Sequence, residues 1–380
     1  MAGPLQGIKV VELAGLGAAP FAGMVLSDLG AEVVRVDRAD RVADAHDVAT
    51  RHDLHNRGKL SVGVDLKQVG GVEVVLALAE RADALIEGFR PGVAERLGIG
   101  PDVCLDRNPG LVYGRMTGWG QAGPLAERAG HDIDYIALSG ALHGIGTEGA
   151  PVPPLNLVGD FGGGGMLMVA GILAALLHSR STGVGQVVDA AMVDGSALLT
   201  TSIHGYIAQG FWTARRESNL LDGGAPFYSV YQTADGGHIA VGALEPQFYA
   251  ALLEAMGIPI DSLPDRGDQT AWPRIRAVLA ERFLEHTREQ WVRRLSDLDT
   301  CVAPVLSPLE APAHPHNQAR GVFVDIDGVT QPAPAPRFSS TPAQTPPGPS
   351  FPGRDTDRVL AALGLSQAEV SKLRAVGAVA

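Results

Sequence analysis

The sequence predicts an α/β protein, a parallel sheet covered by helices and joined to a smaller second domain. Over the first two hundred residues, short β-branched runs alternate with helix-like stretches, the pattern of strand–helix–strand units. Beyond about residue 210 the texture changes to a strand pair followed by three helical patterns, so a separate α+β unit is expected. A proline- and serine-rich stretch, residues 330–353, then leads into a helical C-terminal tail.

The strand candidates, in order, are IKVVEL, EVVRV, DALIEGF, LVYGRMTG and GQVVDAAM. Helices are expected from Pro20 to Leu29, closed by Gly30, in GVEVVLALAERA, in GVAERLG, and after Asp160. A long helical stretch, AMVDGSALLTTSIHGYIAQG, leaves the sheet unit, and in YSVYQTADGGHIAVGAL the Asp-Gly-Gly reads as a tight hairpin turn. Residues 330–353 read as an extended crossing segment, after which DTDRVLAALGLSQAEVSKLRAVG returns to the first domain. The expected division is 1–190 for the large domain, 191–226 for a linker helix and loop, and 227–310 for the small domain. A returning linker, 311–353, and a C-terminal helix of the large domain, 354–380, complete the chain.

Composition narrows the partners. At 380 residues, 46% hydrophobic and a net charge of −12, the chain does not suit nucleic acid or an anionic membrane. An anionic ligand must therefore meet a local basic cluster. Cys104 and Cys301 are far apart and form no metal-type spacing, which suggests reduced structural thiols, a cytoplasmic protein and no metal site. The N-terminal MAGPLQG lacks the basic region and apolar core of an export signal. The uncharged run 161–177 approaches membrane-span length, but its four glycines and charged flanks suit a core helix.

Between the first strand and first helix, GLGAAP approximates a dinucleotide fingerprint, with Gly15, Gly17 and, at the end of the second strand, Asp37 in place. Pro20 stands where the third glycine belongs and reads instead as a first helical residue. Arg38, directly after Asp37, suits a ribose carrying an extra phosphate. Further basic residues, Arg57, Lys59, Lys67, Arg90 and Arg96, fall near ends of the predicted strands, where open α/β sheets bind ligands.

Three ionisable residues stand out by context: His131 in AGHDIDY, Asp160 in NLVGDFGGGG and Glu245 in VGALEPQFY. A lone histidine is ordinarily a hydrogen-bonded core or surface residue, and an aspartate before a helix ordinarily its N-cap. Four glycines after Asp160 are a costly choice at a helix start, which suggests that something must approach closely there. Backbone N–H groups at a helix start suit an anion or a polarised carbonyl oxygen. His131 is of the side-chain type suited to acid–base work near neutral pH, and Glu245 can orient it from the corner before Pro246.

These motifs together resemble the α-methylacyl-CoA racemases of the class III CoA-transferase superfamily. The likeness runs through VVELAGLGAAPFAGMVLSDLGAEVVRVDR, NRGK…VDLK, LIEGFRPGVAERLGIGP, MTGWGQAGP, AGHDIDYIALSG, PVPPLNLVGDFGGGG, GQVVDAAMVDG, LDGGAPFY and VGALEPQFY. The resemblance implies a large Rossmann-like domain made of the N-terminal part plus the C-terminal tail, a small domain, and an interlocked homodimer. It implies that His131 and Asp160 are the two proton-transfer groups, with Glu245 supporting the histidine. By the same resemblance, Arg38, Val64, Asp65, Leu66, Lys67, Gly88, Phe89, Arg90 and Arg96 line the CoA path. Gly130, Asp132, Tyr135 and Asn156 complete the expected substrate- and CoA-binding residues.

Many superfamily members carry Asn where this chain has Gly88, and a His-Thr pair where it has Asp355 and Thr356. CoA-transferases of the superfamily usually lack the histidine, keep the aspartate as nucleophile, and carry a longer glycine-rich loop at the position of LDGGAPFY. The expected activity is thus interconversion of (2R)- and (2S)-2-methylacyl-CoA through an enolate, without redox cofactor or metal. A CoA-transferase using Asp160 as nucleophile and a non-catalytic CoA-binding protein are the alternatives; NAD-dependent reduction ranks last because of Pro20. The stretch GYIAQGFW is a candidate surface for the acyl chain.

Overall fold

The computed structural model describes residues 3–44 and 48–380. Six parallel strands form its main sheet: β1 (Lys9–Leu13), β2 (Glu32–Arg38), β3 (Leu60–Val64), β4 (Ala84–Glu87), β5 (Val112–Thr117) and β6 (Gln186–Ala191). Their order, β3-β2-β1-β4-β5-β6, reverses direction between β1 and β4, and open sheets of this kind bind ligands beyond such a reversal. Five of the strands are the expected ones. β3 was not foreseen, although LSVGV alternates as a strand should; the neighbouring NRGK drew attention to charge instead.

Neighbouring residues along each strand face opposite apolar layers. Val11, Val34, Leu85 and Tyr113 join one cluster with the Val69–Glu80 helix and the C-terminal helices. Val10, Val33, Ala84, Ile86 and Val112 join the other with the Ala18–Asp28 and Leu167–Thr182 helices. Successive side chains of a strand point to opposite faces, so this sheet is buried on both sides.

Charged residues are also built into this interior. Lys59 Nζ donates to both Glu12 carboxylate oxygens at 2.9 and 2.7 Å, to the Pro20 carbonyl and to Asn56, and both charged side chains are wholly buried. Arg57 pairs with Asp28 and donates to Gln331 and the Pro332 carbonyl. Neither cation of NRGK is therefore free for an anionic ligand, contrary to expectation. They tie β3 to the first helix and to the returning chain.

Pro20 is the third residue of the Ala18–Asp28 helix, not its first. The first four N–H groups of a helix have no acceptor within it, so the ring is tolerated anywhere in that turn. The expected long helix after residue 190 is two, Met192–Leu199 and Thr201–Ala208, parted at Thr200. Helices Pro101–Arg107 and Asp132–Leu138 are additional to the expected set. The run from Leu157 to Thr182 is long and apolar enough to cross a membrane by composition, and 44% of its most apolar window is buried within the protein.

The chain divides into two compact units, one comprising Met1–Ser139, Leu155–Leu199 and Pro315–Ala380, the other Gly140–Pro154 and Thr200–His314. Residues 140–154 thus group with the smaller unit rather than with the large domain expected over 1–190. The smaller unit carries an antiparallel sheet of β7 (Tyr228–Gln232), β8 (His238–Gly242) and β9 (Val302–Pro304), with β9 unforeseen. Helices Pro246–Ala255, Trp272–Phe283 and Arg288–Leu295 pack with it around Phe227, Tyr231, Phe283 and Trp291.

The segment expected as a returning linker holds a hairpin, β10 (Phe323–Ile326) and β11 (Val329–Pro332). The tail holds two helices, Thr356–Ala362 and Gln367–Ala375, where one was expected. This tail covers the open edge of β3. Asp355 accepts the Ser61 N–H at 3.0 Å, Thr356 Oγ1 accepts that of Gly63, and Ala378 and Ala380 exchange backbone bonds with Asp65 and Gly63. An exposed strand edge is a template for aggregation, and here it is satisfied within the chain.

Removing one partner of a fully buried ion pair strands the other. Lys59→Met is therefore expected to lower unfolding stability by about 3–5 kcal/mol, read from the urea midpoint with the slope unchanged.

Candidate active site

Asp160 does not cap a helix. It lies inside a π-helical segment, Leu157–Met166, whose N-cap is Asn156 and which passes directly into the Leu167–Thr182 helix. π-helical turns are rare and concentrate at functional sites. The glycines after Asp160 accommodate neighbouring helices: a Cβ on Gly163 would lie 2.6 Å from the Ser196 nitrogen, and one on Gly164 would lie 3.1 Å from Ala18 Cβ. The close approach inferred from these glycines is thus made by protein on two sides.

The Asp160 carboxylate accepts a hydrogen bond from Asn156 Nδ2 at 3.1 Å. Gly17, at the N-terminus of the Ala18–Asp28 helix with φ of 70°, faces it so closely that a Cβ there would be 3.2 Å from Asp160 Oδ2. The fingerprint-like GLGAAP therefore meets the candidate catalytic carboxylate. Sequence reading had connected Gly17 only with a nucleotide.

His131 is exposed and forms the N-cap of the Asp132–Leu138 helix, its N–H donating to Asp134 at 2.9 Å. The next residue, Asp132, is buried, and its Oδ1 accepts the Asp160 N–H at 2.7 Å. Sequence and structure thus bring His131, Asp132, Asn156 and Asp160 together. Burial raises the Asp160 carboxyl above its ordinary range; the Asp132 charge adds to the rise, while Asn156 and His131 oppose it. Tyr135 donates to the Gly130 carbonyl, packs edge-on against Trp119, and is pushed up to about 12 by burial.

Two of the cavities that open in the larger unit bear on the site. One, of roughly 340 Å³, lies beyond the ends of β1, β2 and β3, where Arg38, Val64, Asp65, Leu66 and Lys67 line it. The other, of roughly 250 Å³, has His131, Gly130 and Tyr135 on its wall with Gly88 and Arg90. Phe89 lines both. Arg38 is exposed and paired with Asp40, whereas Asp37 is held by Arg35 at 2.7 Å and by Ser61 at 2.6 Å. Arg96 is exposed on its short helix and lines neither cavity.

Trp119, which sequence reading passed over, contributes a buried indole N–H without a partner to the His131 cavity wall. The MTGWG motif was its only signal. Glu245 lies in the smaller unit as the exposed N-cap of the Pro246–Ala255 helix, close enough to Cys301 for its charge to help raise that thiol, though burial is the larger cause. Both cysteines are free; Cys301 is exposed, while Cys104 is buried and bonded to the Ile99 carbonyl. Among the described residues no three His, Cys, Asp or Glu side chains form a group able to hold a metal.

The Asp160 environment has a measurable consequence. A carboxyl raised in the folded state costs stability once it ionises, fully above its folded pKa and not at all below its ordinary value of 3.8. Asp160→Asn is expected to raise the thermal midpoint at neutral pH, and the gain should vanish as pH falls towards that value.

Comparison with known proteins identifies the family. A family model described as CoA-transferase family III matches residues 5–357. The α-methylacyl-CoA racemase of Mus musculus is 45% identical over 373 residues, covering 97% of this chain and 96% of its own. The Homo sapiens protein of that name is 44% identical over 378 residues, with the same coverage. Among solved structures, a CAIB/BAIF family protein from Brucella suis superposes with a TM-score of 0.82 at 26% identity, covering 96% of this chain and all of that one. With a family match over most of its length and near full-length relatives at 44–45% identity, the chain belongs to CoA-transferase family III.

Proposed function

We propose that the protein is a racemase that interconverts the (2R) and (2S) forms of 2-methylacyl-CoA thioesters. The observation that carries this is the presence of both His131 and Asp160 at one place, joined through Asp132, in a chain 44–45% identical to two α-methylacyl-CoA racemases. The ADP end of CoA fits the cavity beyond β1, β2 and β3, with Arg38 exchanging Asp40 for a phosphate. The pantetheine arm then follows Phe89 to the cavity beside His131.

An α-proton becomes removable when the resulting charge delocalises onto the thioester oxygen, so the site must stabilise an enolate. The first N–H groups of the Asp132–Leu138 helix have no acceptor within that helix and are the donors we assign to the oxygen. Neutral His131 takes the α-proton, the electron pair moves to the carbonyl oxygen, and protonated Asp160 returns a proton to the opposite face of carbon 2. Histidinium and carboxylate remain, the state from which the other epimer reacts. The raised Asp160 pKa supports this, since it brings a carboxyl closer in basicity to an imidazole.

We further propose a homodimer in which Glu245 of one copy supports His131 of the other. This rests on the family likeness, and exposed Leu138, Leu157, Leu198 and Leu199 provide apolar surface for such a contact. Mixed dimers of His131→Ala and Glu245→Ala chains, coexpressed and purified by two tags, should recover towards half of wild-type activity. Activity no higher than the mean of the two mutant homodimers would assign Glu245 to its own chain.

The reaction itself is tested in deuterated water. Either pure epimer of a 2-methylacyl-CoA should yield both, with one deuterium at carbon 2 and no added acceptor, and Asp160→Asn should abolish this. An acyl or CoA adduct on the Asp160 peptide, with full activity in His131→Ala, would instead indicate CoA transfer.

A further inference from the structure

We infer that the Asp132 side chain is a positioning residue, which fixes Asp160 relative to His131 and places a negative charge beside it, rather than a contact to CoA. The inference rests on the racemase reading above for its kinetic consequences, while its structural basis is independent of that reading. Asp132 is only 8% exposed, and its carboxylate accepts the backbone N–H of Asp160 at 2.7 Å. The approach is sterically exclusive: a Cβ on Gly159 would lie 2.4 Å from Asp132 Oδ1, so no other residue at 159 leaves room for the bond. Because Asp132 follows His131 in the chain, one residue holds both groups, the histidine through its backbone and the aspartate through its carboxylate.

The bond is also electrostatically unusual, since a carboxylate is held beside another ionisable carboxyl. Of the groups facing Asp160, Asn156 lies in its own π-helical segment, Asp132, His131 and Tyr135 lie at the 132–138 helix, and Gly17 from the first helix brings no charge. Asp132 is the group among these whose negative charge favours a protonated Asp160, reinforcing burial.

Two substitutions separate geometry from charge. Asp132→Asn keeps an oxygen acceptor and the volume but removes the charge; Asp132→Ala removes both. For Asp132→Ala, kcat is expected to fall about a hundredfold with KM within about twofold, the scale of a misplaced reacting group. The loss must be shared by both epimers, because the equilibrium between them is unchanged. For Asp132→Asn, much of kcat should return, while the acid limb of the kcat/KM profile moves to lower pH.

Carbon-13 NMR of aspartate-labelled protein, with the Asp160 signal assigned through Asp160→Asn, reads the same shift without turnover. In Asp132→Asn the Asp160 carboxyl should titrate at lower pH than in the wild type. An unmoved Asp160 titration in folded Asp132→Asn, or a loss confined to KM in Asp132→Ala, overturns the inference. A wild-type protein that exchanges no α-proton would overturn the racemase reading instead, and the NMR titration would still decide the role of Asp132.

Discussion

The contact on which the candidate site depends is between two backbones. A Cβ on Gly195 would lie 1.8 Å from the Gly163 carbonyl oxygen, so the π-helical segment and the Met192–Leu199 helix meet with no side chain between them. On the other side, Gly164 and Gly165 admit Ala18 and Phe21 of the first helix, which would lie 3.1 and 2.5 Å from a Cβ on each. Held from two directions, the segment has little freedom to rewind as an ordinary α-helix. Glycine in a helix interior is unfavourable by about 1 kcal/mol relative to alanine, and packing must offset that for each of the four. The result is a rigid platform for Asp160, built where a single helix would have been loose.

A second set of constraints holds the nucleotide-like end. Glu12, Lys59, Arg35, Asp37 and Ser61 form a buried chain of charges and hydrogen bonds joining β1, β2 and the approach to β3. Burial pushes Glu12 up and Lys59 down, each towards its neutral form, and their mutual attraction opposes both shifts. Such pairs contribute less to stability than to geometry, because desolvation offsets most of the attraction. Here the geometry concerns the ends of β1, β2 and β3, the floor of the larger cavity. Asp37, which in a dinucleotide-binding protein would bind a ribose, is already occupied by Arg35 and Ser61.

Much of the fold was legible in the sequence because β-branched runs and turn residues mark strands wherever both faces are apolar. β3 escaped for a physical reason: it is a short edge strand between a charged turn and a polar loop, and its partners on the open side come from the far end of the chain. His131 and Asp160 were recognisable from motifs, since their residue types and neighbours suit proton transfer. The roles of Gly17, Gly159 and the four later glycines were not, because a glycine in sequence gives no sign of what comes near it. Nor was Arg57 or Lys59 distinguishable from a ligand-binding cation, as only a folded interior reveals the carboxylates that neutralise them.

The coverage of the β3 edge has a consequence for how the protein is made. Ser61 is bonded to Asp355 across 294 residues of sequence, so the edge of β3 cannot be covered until almost the whole chain has left the ribosome. Contacts of such separation form slowly because loop closure opposes them. During synthesis the smaller unit, most of it between Thr200 and His314, emerges while the edge of β3 is still unpaired. The loop Asp65–Lys67, which Ala378 braces and which lines the larger cavity, then becomes ordered late. An incomplete nascent chain would therefore carry an unpaired strand edge and an unfinished ligand cavity together, a state suited to chaperone capture rather than premature ligand binding.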